Sequence, residues 1–173
     1  IAQLQKHLQD ATRIQDGLFD TPQENTDDYT QSQTPPQEIY SLRCVPQILG
    51  PIADTIKSAK AVIETEINSV TDNPLIDGER IIHNGNFHGD YVALEMDKLR
   101  IAITKLSILL DRQVNFLVNP TQNKILPPFV NRGTVGLDLS VQAAQFVATS
   151  TTAENQTLAT PIYTHSITTN NDN

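Results

Sequence analysis

The chain has 173 residues, enough for one ordinary domain with a hydrophobic core. Twenty acidic side chains against twelve Lys and Arg give a formal net charge of -8. This balance argues against nucleic acid and membrane surfaces as partners, because both bind basic proteins. The single cysteine excludes an intrachain disulfide framework and favours a cytoplasmic location.

The first 17 residues have the apolar spacing of the end of a helix. Residues 18–36 are rich in Pro, Gln, Asp and Thr and nearly free of aliphatic side chains, which predicts a mobile loop. Two interpretations of this loop stay open, namely a lid over a functional site and a solvated surface loop. Because the chain starts in a helical pattern and stops on a polar run, we expect residues 1–173 to be a single fragment of a longer protein's helical core.

The remainder is predicted to be all-α, a long-helix bundle with one small hairpin. From Ser41 to Ile67 apolar residues recur every three or four positions, which predicts a helix with one core-facing stripe. Pro46 is compatible with this helix because a proline is tolerated in the first turn. After a turn signal, residues 75–83 predict a hairpin around Asp-Gly.

A longer helix is predicted from about His88 to Asn119, roughly 45 Å at 1.5 Å per residue. Its apolar stripe has a spacing close to seven residues: Val92, Met96, Leu99, Ile103, Leu106, Leu110, Val114 and Leu117. Further apolar residues lie off this stripe, so we expect several neighbours to bury the helix. A third long helix, with small residues that allow close approach, is predicted from Leu137 to Leu158.

Tyr40 and Arg43 are the first candidates for chemistry. They stand three residues apart at a helix start and so share a face. The planar guanidinium of arginine can bind a carboxylate through two parallel hydrogen bonds. The alternative is that Arg43 is a surface ion-pair partner, which is the commoner role for an arginine near a helix start.

The other polar segments carry weaker signals. His88 and Asp90 are possible metal ligands, but no third ligand follows at a useful spacing, so we predict no metal site. Four polar residues interrupt the third helix, and their simplest interpretation is a solvated face: Gln142, Gln145, Glu154 and Asn155. Spacing alone therefore predicts a helical domain and does not specify its function.

Five segments together resemble the histidine, tyrosine and phenylalanine ammonia-lyase family, most closely its bacterial tyrosine-type and histidine-type members. They occur in the family's order between residues 37 and 173: Tyr40-Ser41-Leu42-Arg43-Cys44-Val45-Pro46-Gln47, Glu66-Ile67-Asn68-Ser69-Val70-Thr71-Asp72-Asn73-Pro74-Leu75, Gly85-Asn86-Phe87-His88-Gly89, Leu126-Pro127-Pro128-Phe129 and Thr152-Ala153-Glu154-Asn155. Each segment alone is a weak signal, but five in order are specific.

The resemblance implies a protein of long helices that assembles as a homotetramer. Each active site of the family is built from three subunits around an electrophile, methylidene-imidazolone (MIO). That group forms from an internal Ala-Ser-Gly, which this chain lacks. The family's catalytic-base tyrosine also lies upstream of the matching segments, so we expect this chain alone to be inactive. The reaction implied is loss of ammonia from an aromatic L-amino acid, tyrosine or histidine, to give a trans-unsaturated acid.

The resemblance also assigns roles by position. Arg43 matches the family's arginine that binds the substrate carboxylate, and Tyr40 matches a tyrosine beside the electrophile and the amino group. Gln37 matches a glutamine that forms hydrogen bonds in the same cluster, and Phe87 matches a phenylalanine packed near the electrophile. Two further residues match pocket positions that differ between subfamilies: Gln142 and Asn170.

Two departures from the family pattern bear on the substrate. The family's Gln-Asp is Gln37-Glu38 here, which is a small change. The Ser-Ala-Asn-Gln of histidine-type members is Asn170-Asn171-Asp172-Asn173, which favours tyrosine. Two alternatives to a lyase stay open: an aminomutase on the same scaffold, which returns the amine to the neighbouring carbon, and a non-catalytic helical oligomerisation module.

Overall fold

The computed structural model describes residues 37–134 and 136–165. The chain divides into two units, Ile1–Ile39 and Tyr40–Asn173. In the first unit only residues 37–39 are described, and they are exposed. The helix predicted over the first 17 residues and the mobile loop predicted over 18–36 lie outside the described residues.

The second unit is mainly helical, as the sequence predicts. In chain order its elements are α1 (Tyr40–Arg43), α2 (Val45–Glu66), β1 (Leu75–Asp77), β2 (Arg80–Ile82), α3 (Asp90–Val118), α4 (Pro120–Asn123), a 3-10 turn (Pro128–Val130) and α5 (Gln142–Leu158). The two strands form one antiparallel hairpin. The prediction of long helices with a single small hairpin is confirmed, and no helix among the described residues is long and apolar enough to cross a membrane.

The ends of α2 follow from its sequence. Pro46 lies in the first turn, where a missing backbone N–H breaks no hydrogen bond within the helix. At the other end, Asn68 Nδ2 and Ser69 Oγ donate to the backbone carbonyls four residues before them, at 2.6 and 2.7 Å. The Asn68 amide thus gives the Glu64 carbonyl a donor at the end of the helix, whereas the Thr65 carbonyl also accepts the backbone N–H of Asn68 at 3.2 Å.

Helix α5 begins later than predicted. It starts at Gln142, whereas the pattern of small residues predicts a start at Leu137. The reason is local hydrogen bonding, because the carboxylate of Asp138 accepts the backbone N–H of Ser140 at 2.7 Å. Ser140 has a φ of 46°, in the left-handed region that an α-helix excludes.

Helix α3 is the central element, because it packs against both α2 and α5. Its 29 residues span about 44 Å. Its most buried residues lie on two lines with seven-residue spacing: Glu95, Ala102 and Leu109 on one, and Asp97, Thr104, Asp111 and Val118 on the other. The buried surface of this long helix is therefore polar at several positions.

The second line holds α5 through hydrogen bonds. Its three polar residues each accept from or donate to α5 or the segment after it: Asp111 Oδ1 from Thr149 Oγ1 at 2.8 Å, Thr104 Oγ1 to Asn155 O at 3.1 Å, and Asp97 Oδ2 from Ile162 N and Tyr163 N, both at 2.7 Å. As the residue number falls along α3 it rises along α5. The two helices are therefore antiparallel, and polar contacts set their register.

The predicted apolar stripe of α3 is not its most buried line. Ile103, Leu110 and Leu117 are 53%, 52% and 49% exposed. The physical reason is that α5 packs on the neighbouring polar line instead. Among the described residues α2 and α5 are the long helices that pack on α3, and they leave this apolar row with seven-residue spacing about half exposed.

Two buried carboxylates of the polar line ionise more readily than usual. The backbone N–H of Tyr163, with further donors, lowers the pKa of Asp97 below its ordinary value of 3.8 in spite of burial. Burial acts to raise the pKa of Asp111, but hydrogen bonds from Arg112 and Thr149 and the charge of Arg112 together lower it. Both groups are therefore held as carboxylates in the folded chain.

We expect the chain to lose stability in acid because of these two groups. A folded-state pKa below the unfolded value means that the contribution is fully present above the ordinary value of 3.8 and is lost as the pH falls through the lower folded-state pKa. Asp97→Asn should lower the urea midpoint of unfolding near neutral pH. The difference from wild type should shrink as the pH drops below 3.8. Far-UV circular dichroism during urea titrations measures both.

The control is Asp54→Asn, on the exposed surface of α2, which should leave the midpoint nearly unchanged. An Asp97→Asn chain as stable as wild type at neutral pH would show that the contact with the segment after α5 does not stabilise the fold.

Candidate functional site

Tyr40 and Arg43 lie together on α1, the short helix before α2. Both side chains are exposed, Tyr40 to 72%. The guanidinium carbon of Arg43 is 5.2 Å from the centroid of the Tyr40 ring, within the range of a cation–π contact. The structure therefore brings these two predicted site residues together on an outward-facing surface.

A side chain of α3 binds α1 from the other side. Gln113 Nε2 donates a hydrogen bond to the backbone carbonyl of Ser41 at 2.9 Å. Ser41 is buried, whereas its neighbours Tyr40 and Leu42 are exposed. Helix α1 thus turns one residue toward α3 and presents the candidate site residues outward.

Gln142 lies near the same end of α3. It is the first residue of α5, and one turn later Gln145 Nε2 donates to Asn115 Oδ1 at 3.2 Å. Asn115 is two residues beyond Gln113, so the start of α5 and helix α1 contact the same turn of α3. The interpretation of the polar residues of α5 as a solvated face holds for the exposed Glu154. It is wrong for three half-buried residues: Gln142, Gln145 and Asn155.

Phe87 lies at the opposite end of α3. It precedes the first residue of that helix, Asp90, by three positions and is 59% exposed. Asp90 and Gln113 are 23 residues apart in one helix, a distance of about 35 Å. An aromatic amino acid is far shorter than this. One copy of the chain therefore does not bring Phe87 and Arg43 to the same ligand.

A network of asparagines fixes the loop that carries Phe87. The backbone N–H of Asn84 donates to Asn73 Oδ1 at 2.9 Å, and Asn84 Nδ2 donates to the Asp72 carbonyl at 3.0 Å. Asn84 Oδ1 in turn accepts the N–H of Asn86 at 2.8 Å. A half-buried side chain thus links the turn after α2 to the residue before Phe87.

An open cavity of about 670 Å³ lies beside this loop, between the end of α2 and the start of α3. Its lining includes Glu66, Asn86, His88 and Asp90, and none of the predicted site residues. His88 Nδ1 is 2.9 Å from Asp90 Oδ2, and both side chains are exposed. The described residues contain no group of three or more His, Cys, Asp or Glu side chains placed to bind a metal.

The two remaining predicted residues are at the margins of the described structure. Gln37 is exposed and belongs to the first unit. Asn170 lies outside the described residues. The described segment after α5 is held at Ile162 and Tyr163, whose N–H groups donate to Asp97 in the N-terminal part of α3. The described segment after α5 therefore lies toward the end of α3 that is next to Phe87.

Sequence reasoning missed the residues that hold these elements in place. Gln113 and Asn115 bind α1 and α5, and Asn84 binds the Phe87 loop. A partial signal was present in α3, where polar residues recur at seven-residue intervals inside an apolar helix: Asp97, Thr104 and Asp111. Such residues are usually retained in a buried position only with hydrogen-bond partners.

Comparison with known proteins identifies a family that this chain matches. The sequence model described as aromatic amino acid lyase matches residues 2–173. The chain is 46% identical over 139 residues to tyrosine 2,3-aminomutase of Chondromyces crocatus, and 44% identical over 139 residues to tyrosine ammonia-lyase of Cupriavidus metallidurans. Each alignment covers 79% of this chain and 26% of the relative. The chain thus spans about a quarter of the length of the curated relatives it matches.

Two further comparisons bear on cofactor and fold. An MIO-dependent tyrosine 2,3-aminomutase of Streptomyces globisporus is 41% identical over 138 residues, which cover 79% of this chain and 25% of the relative. The solved structure of phenylalanine aminomutase from Pantoea agglomerans superposes with a TM-score of 0.76 at 39% identity. That superposition covers 84% of this chain and 29% of the solved one.

The Asn84 network generates a stability prediction. Asn84→Ala removes the amide that bridges the turn after α2 and the Phe87 loop, and we expect the free energy of unfolding to fall by about 1–2 kcal/mol. Urea unfolding measures the change. Asn68→Ala is the matched control, because Asn68 is exposed and its amide bonds only within its own helix end. Equal effects of the two substitutions would show that the network does not hold the loop.

Proposed function

We propose, since this chain belongs to the aromatic amino acid lyase family, that it is the part of an ammonia-lyase that binds the carboxylate of the substrate. Its relatives include both ammonia-lyases and aminomutases. The proposed reaction is loss of ammonia from L-tyrosine, or alternatively L-histidine, to give a trans-unsaturated acid in the cytoplasm. The observation that carries this proposal is the outward-facing pair of Tyr40 and Arg43 on α1.

Arg43 is proposed to bind the substrate carboxylate. Its planar guanidinium offers two parallel N–H donors, which fix the plane of a carboxylate as well as its distance. A substrate that must lose an unactivated β-proton depends on precise positioning, which can lower a barrier by several kcal/mol. The exposed guanidinium beside the Tyr40 ring suits this role, because an incoming carboxylate can reach it.

Tyr40 and Gln37 are proposed to contact the amino group of the substrate. A phenol and a primary amide can each donate and accept hydrogen bonds without carrying a permanent charge. They can therefore bind the amine as it changes its protonation state. Gln142 and Asn170 are proposed as pocket residues that distinguish one aromatic substrate from another.

A complete site is proposed to draw on more than one subunit. Arg43 lies near Gln113 and Phe87 near Asp90, two residues that are about 35 Å apart along α3, so Arg43 and Phe87 are each proposed to serve a different site. The exposed apolar row formed by Ile103, Leu110 and Leu117 supports a homo-oligomer, since a seven-residue repeat suits packing against another helix. The homotetramer of the family would supply such neighbours.

The candidate residues fit an MIO group that comes from another part of the full-length protein. This chain has no Ala-Ser-Gly from which the group could form. The rings of Tyr40 and Phe87 are both more than half exposed, so each can pack against a group from outside the chain. When bound, MIO supplies an electrophile, and the residues of this chain hold the substrate beside it.

An aminomutase is the second candidate, because an aminomutase and an ammonia-lyase resemble this chain almost equally, at 46% and 44% identity. The two functions share the carboxylate-binding role proposed for Arg43. They differ in product, since a lyase releases the unsaturated acid and an aminomutase releases a β-amino acid. Chromatography of the products formed from L-tyrosine by the full-length enzyme separates them.

Arg43→Lys in the full-length enzyme tests the proposed role directly. Lysine keeps the positive charge but loses the two parallel donors. Losing one charge-assisted hydrogen bond is worth about 1.5–3 kcal/mol, so kcat/KM should fall by about tenfold to a hundredfold or more. If the guanidinium orients the reacting carbon, kcat should fall together with affinity. Steady-state kinetics with L-tyrosine measures both.

Arg80→Lys is the matched control, because Arg80 is an exposed arginine of the hairpin that pairs with Asp77 at 3.1 Å. Its kinetics should be unchanged. Near wild-type kinetics for Arg43→Lys, at an unchanged melting temperature, would refute the carboxylate-binding role.

Mixing two inactive variants tests the division of the site between subunits. Arg43→Ala and Phe87→Ala full-length subunits, dissociated and reassembled together in equal amounts, should regain activity. Random assembly leaves about a quarter of the sites with both native residues, if the two come from different subunits. Each variant treated alone should stay inactive. If the mixture is no more active than each variant alone, the division is refuted. Arg43 and Phe87 of one subunit would then serve the same site, or at least one of them would serve none.

A further inference from the structure

Helix α1 is too short to fix its own orientation. It has four residues, whereas an isolated helix needs about 12–15 to be stable in water. The next residue, Cys44, departs from helical geometry with a φ of −101° and a ψ of 18°. Pro46 has no N–H to donate to the carbonyl of Leu42, so α1 does not continue regularly into α2. The direction of α1 therefore depends on contacts with other elements.

Gln113 makes such a contact. Its side-chain amide donates to the Ser41 carbonyl at 2.9 Å, across 72 positions of sequence. Gln113 is half-buried and belongs to the long helix α3, which is anchored on both sides by α2 and α5. The carbonyl it binds lies one residue after Tyr40 and two before Arg43. A shift of that carbonyl moves the backbone from which both side chains project.

We propose that Gln113 is a positioning residue for Arg43, and that it acts by fixing α1 so that the guanidinium meets the substrate carboxylate in the productive plane. This inference rests on the proposed function of Arg43. The same turn of α3 also binds Gln145 through Asn115, at 3.2 Å. Two amide contacts on one turn of α3 thus position α1 and the start of α5 relative to the same helix.

The chemistry of the amide explains why this residue is suited to the role. The Ser41 carbonyl belongs to a buried residue, so a lost donor is poorly replaced by water. A bidentate carboxylate contact tolerates little displacement, because a misplacement of about 1 Å can cost on the order of a hundredfold in rate. Methionine at position 113 would keep the length of the side chain and remove the donor.

A double-mutant cycle in the full-length enzyme tests the inference. Gln113→Met should lower kcat/KM for L-tyrosine by about five- to tenfold. In an Arg43→Lys background, which has already lost the two parallel donors, the same change should cost less than about twofold. The matched control is Ser107→Ala, which removes a hydrogen bond of 2.8 Å from α3 to Thr152 and does not involve α1. Its effect should be the same in both backgrounds.

Inhibitor binding provides a second measurement that a purely structural role would not reproduce. Trans-4-coumaric acid carries the carboxylate that Arg43 is proposed to bind, whereas tyramine keeps the amine and the ring and lacks the carboxylate. Gln113→Met should raise the inhibition constant of coumaric acid by about five- to tenfold and leave that of tyramine unchanged. If Gln113→Met does not assemble, Gln113→Asn replaces it, since a shorter amide retains polarity and cannot reach the carbonyl.

The outcomes separate the two proposals. Wild-type kinetics for Arg43→Lys would overturn the proposed function, and this inference with it. Arg43→Lys could lower kcat/KM as proposed while Gln113→Met costs the same factor in both backgrounds. That result would overturn the role of Gln113 and leave the proposed function standing. Equal weakening of coumaric acid and tyramine would likewise show that Gln113 supports the fold and does not position Arg43.

Discussion

The arrangement of this chain depends on a line of polar side chains along one helix. Asp97, Thr104 and Asp111 recur every seven residues of α3, and each forms a hydrogen bond with α5 or the segment after it. A slip of α5 by one turn, about 5.4 Å, would break all three contacts together. It would leave the buried carboxylates of Asp97 and Asp111 with only the donors of their own helix, Arg100 and Arg112, and the loss of the other donors is costly in a protein interior. The antiparallel register of the two helices is therefore specified by polar groups.

The position of α5 is linked to the groups at both ends of α3. The contact between Gln145 and Asn115 sets the start of α5 beside α1, where Tyr40 and Arg43 are presented. The contact of Asp97 with Tyr163 sets the chain after α5 at the end where Phe87 lies. The structure thus places Tyr40, Arg43 and Gln142 toward one end of α3 and Phe87 at the other. This division, together with the uncovered apolar row, favours sites assembled between copies of the chain.

The sequence predicted the long elements well because periodicity is a strong signal over twenty or more residues. The start of α5 was wrong, because one Asp138 side chain redirects the backbone at Ser140 through a contact that periodicity does not encode. The apolar row formed by Ile103, Leu110 and Leu117 was expected to be buried by several neighbours, but α2 and α5, which pack on α3 among the described residues, leave it about half exposed. Tyr40 and Arg43 were identified by resemblance and by spacing. Gln113 was not, since its partner lies 72 residues away.

The stiffness of α3 has a geometric consequence. The segment of α3 between Asp90 and Gln113 is about 35 Å long, so a tilt of only about 2° moves one end sideways relative to the other by about 1 Å. A displacement of that size matters to catalysis, because reacting groups must meet at near-contact distance. Substitutions in the middle of α3, such as at the buried Ala102, would therefore shift the groups at its two ends relative to each other. The effect of a substitution on Arg43 or Phe87 should then depend on its position along α3 as well as on its distance from these residues.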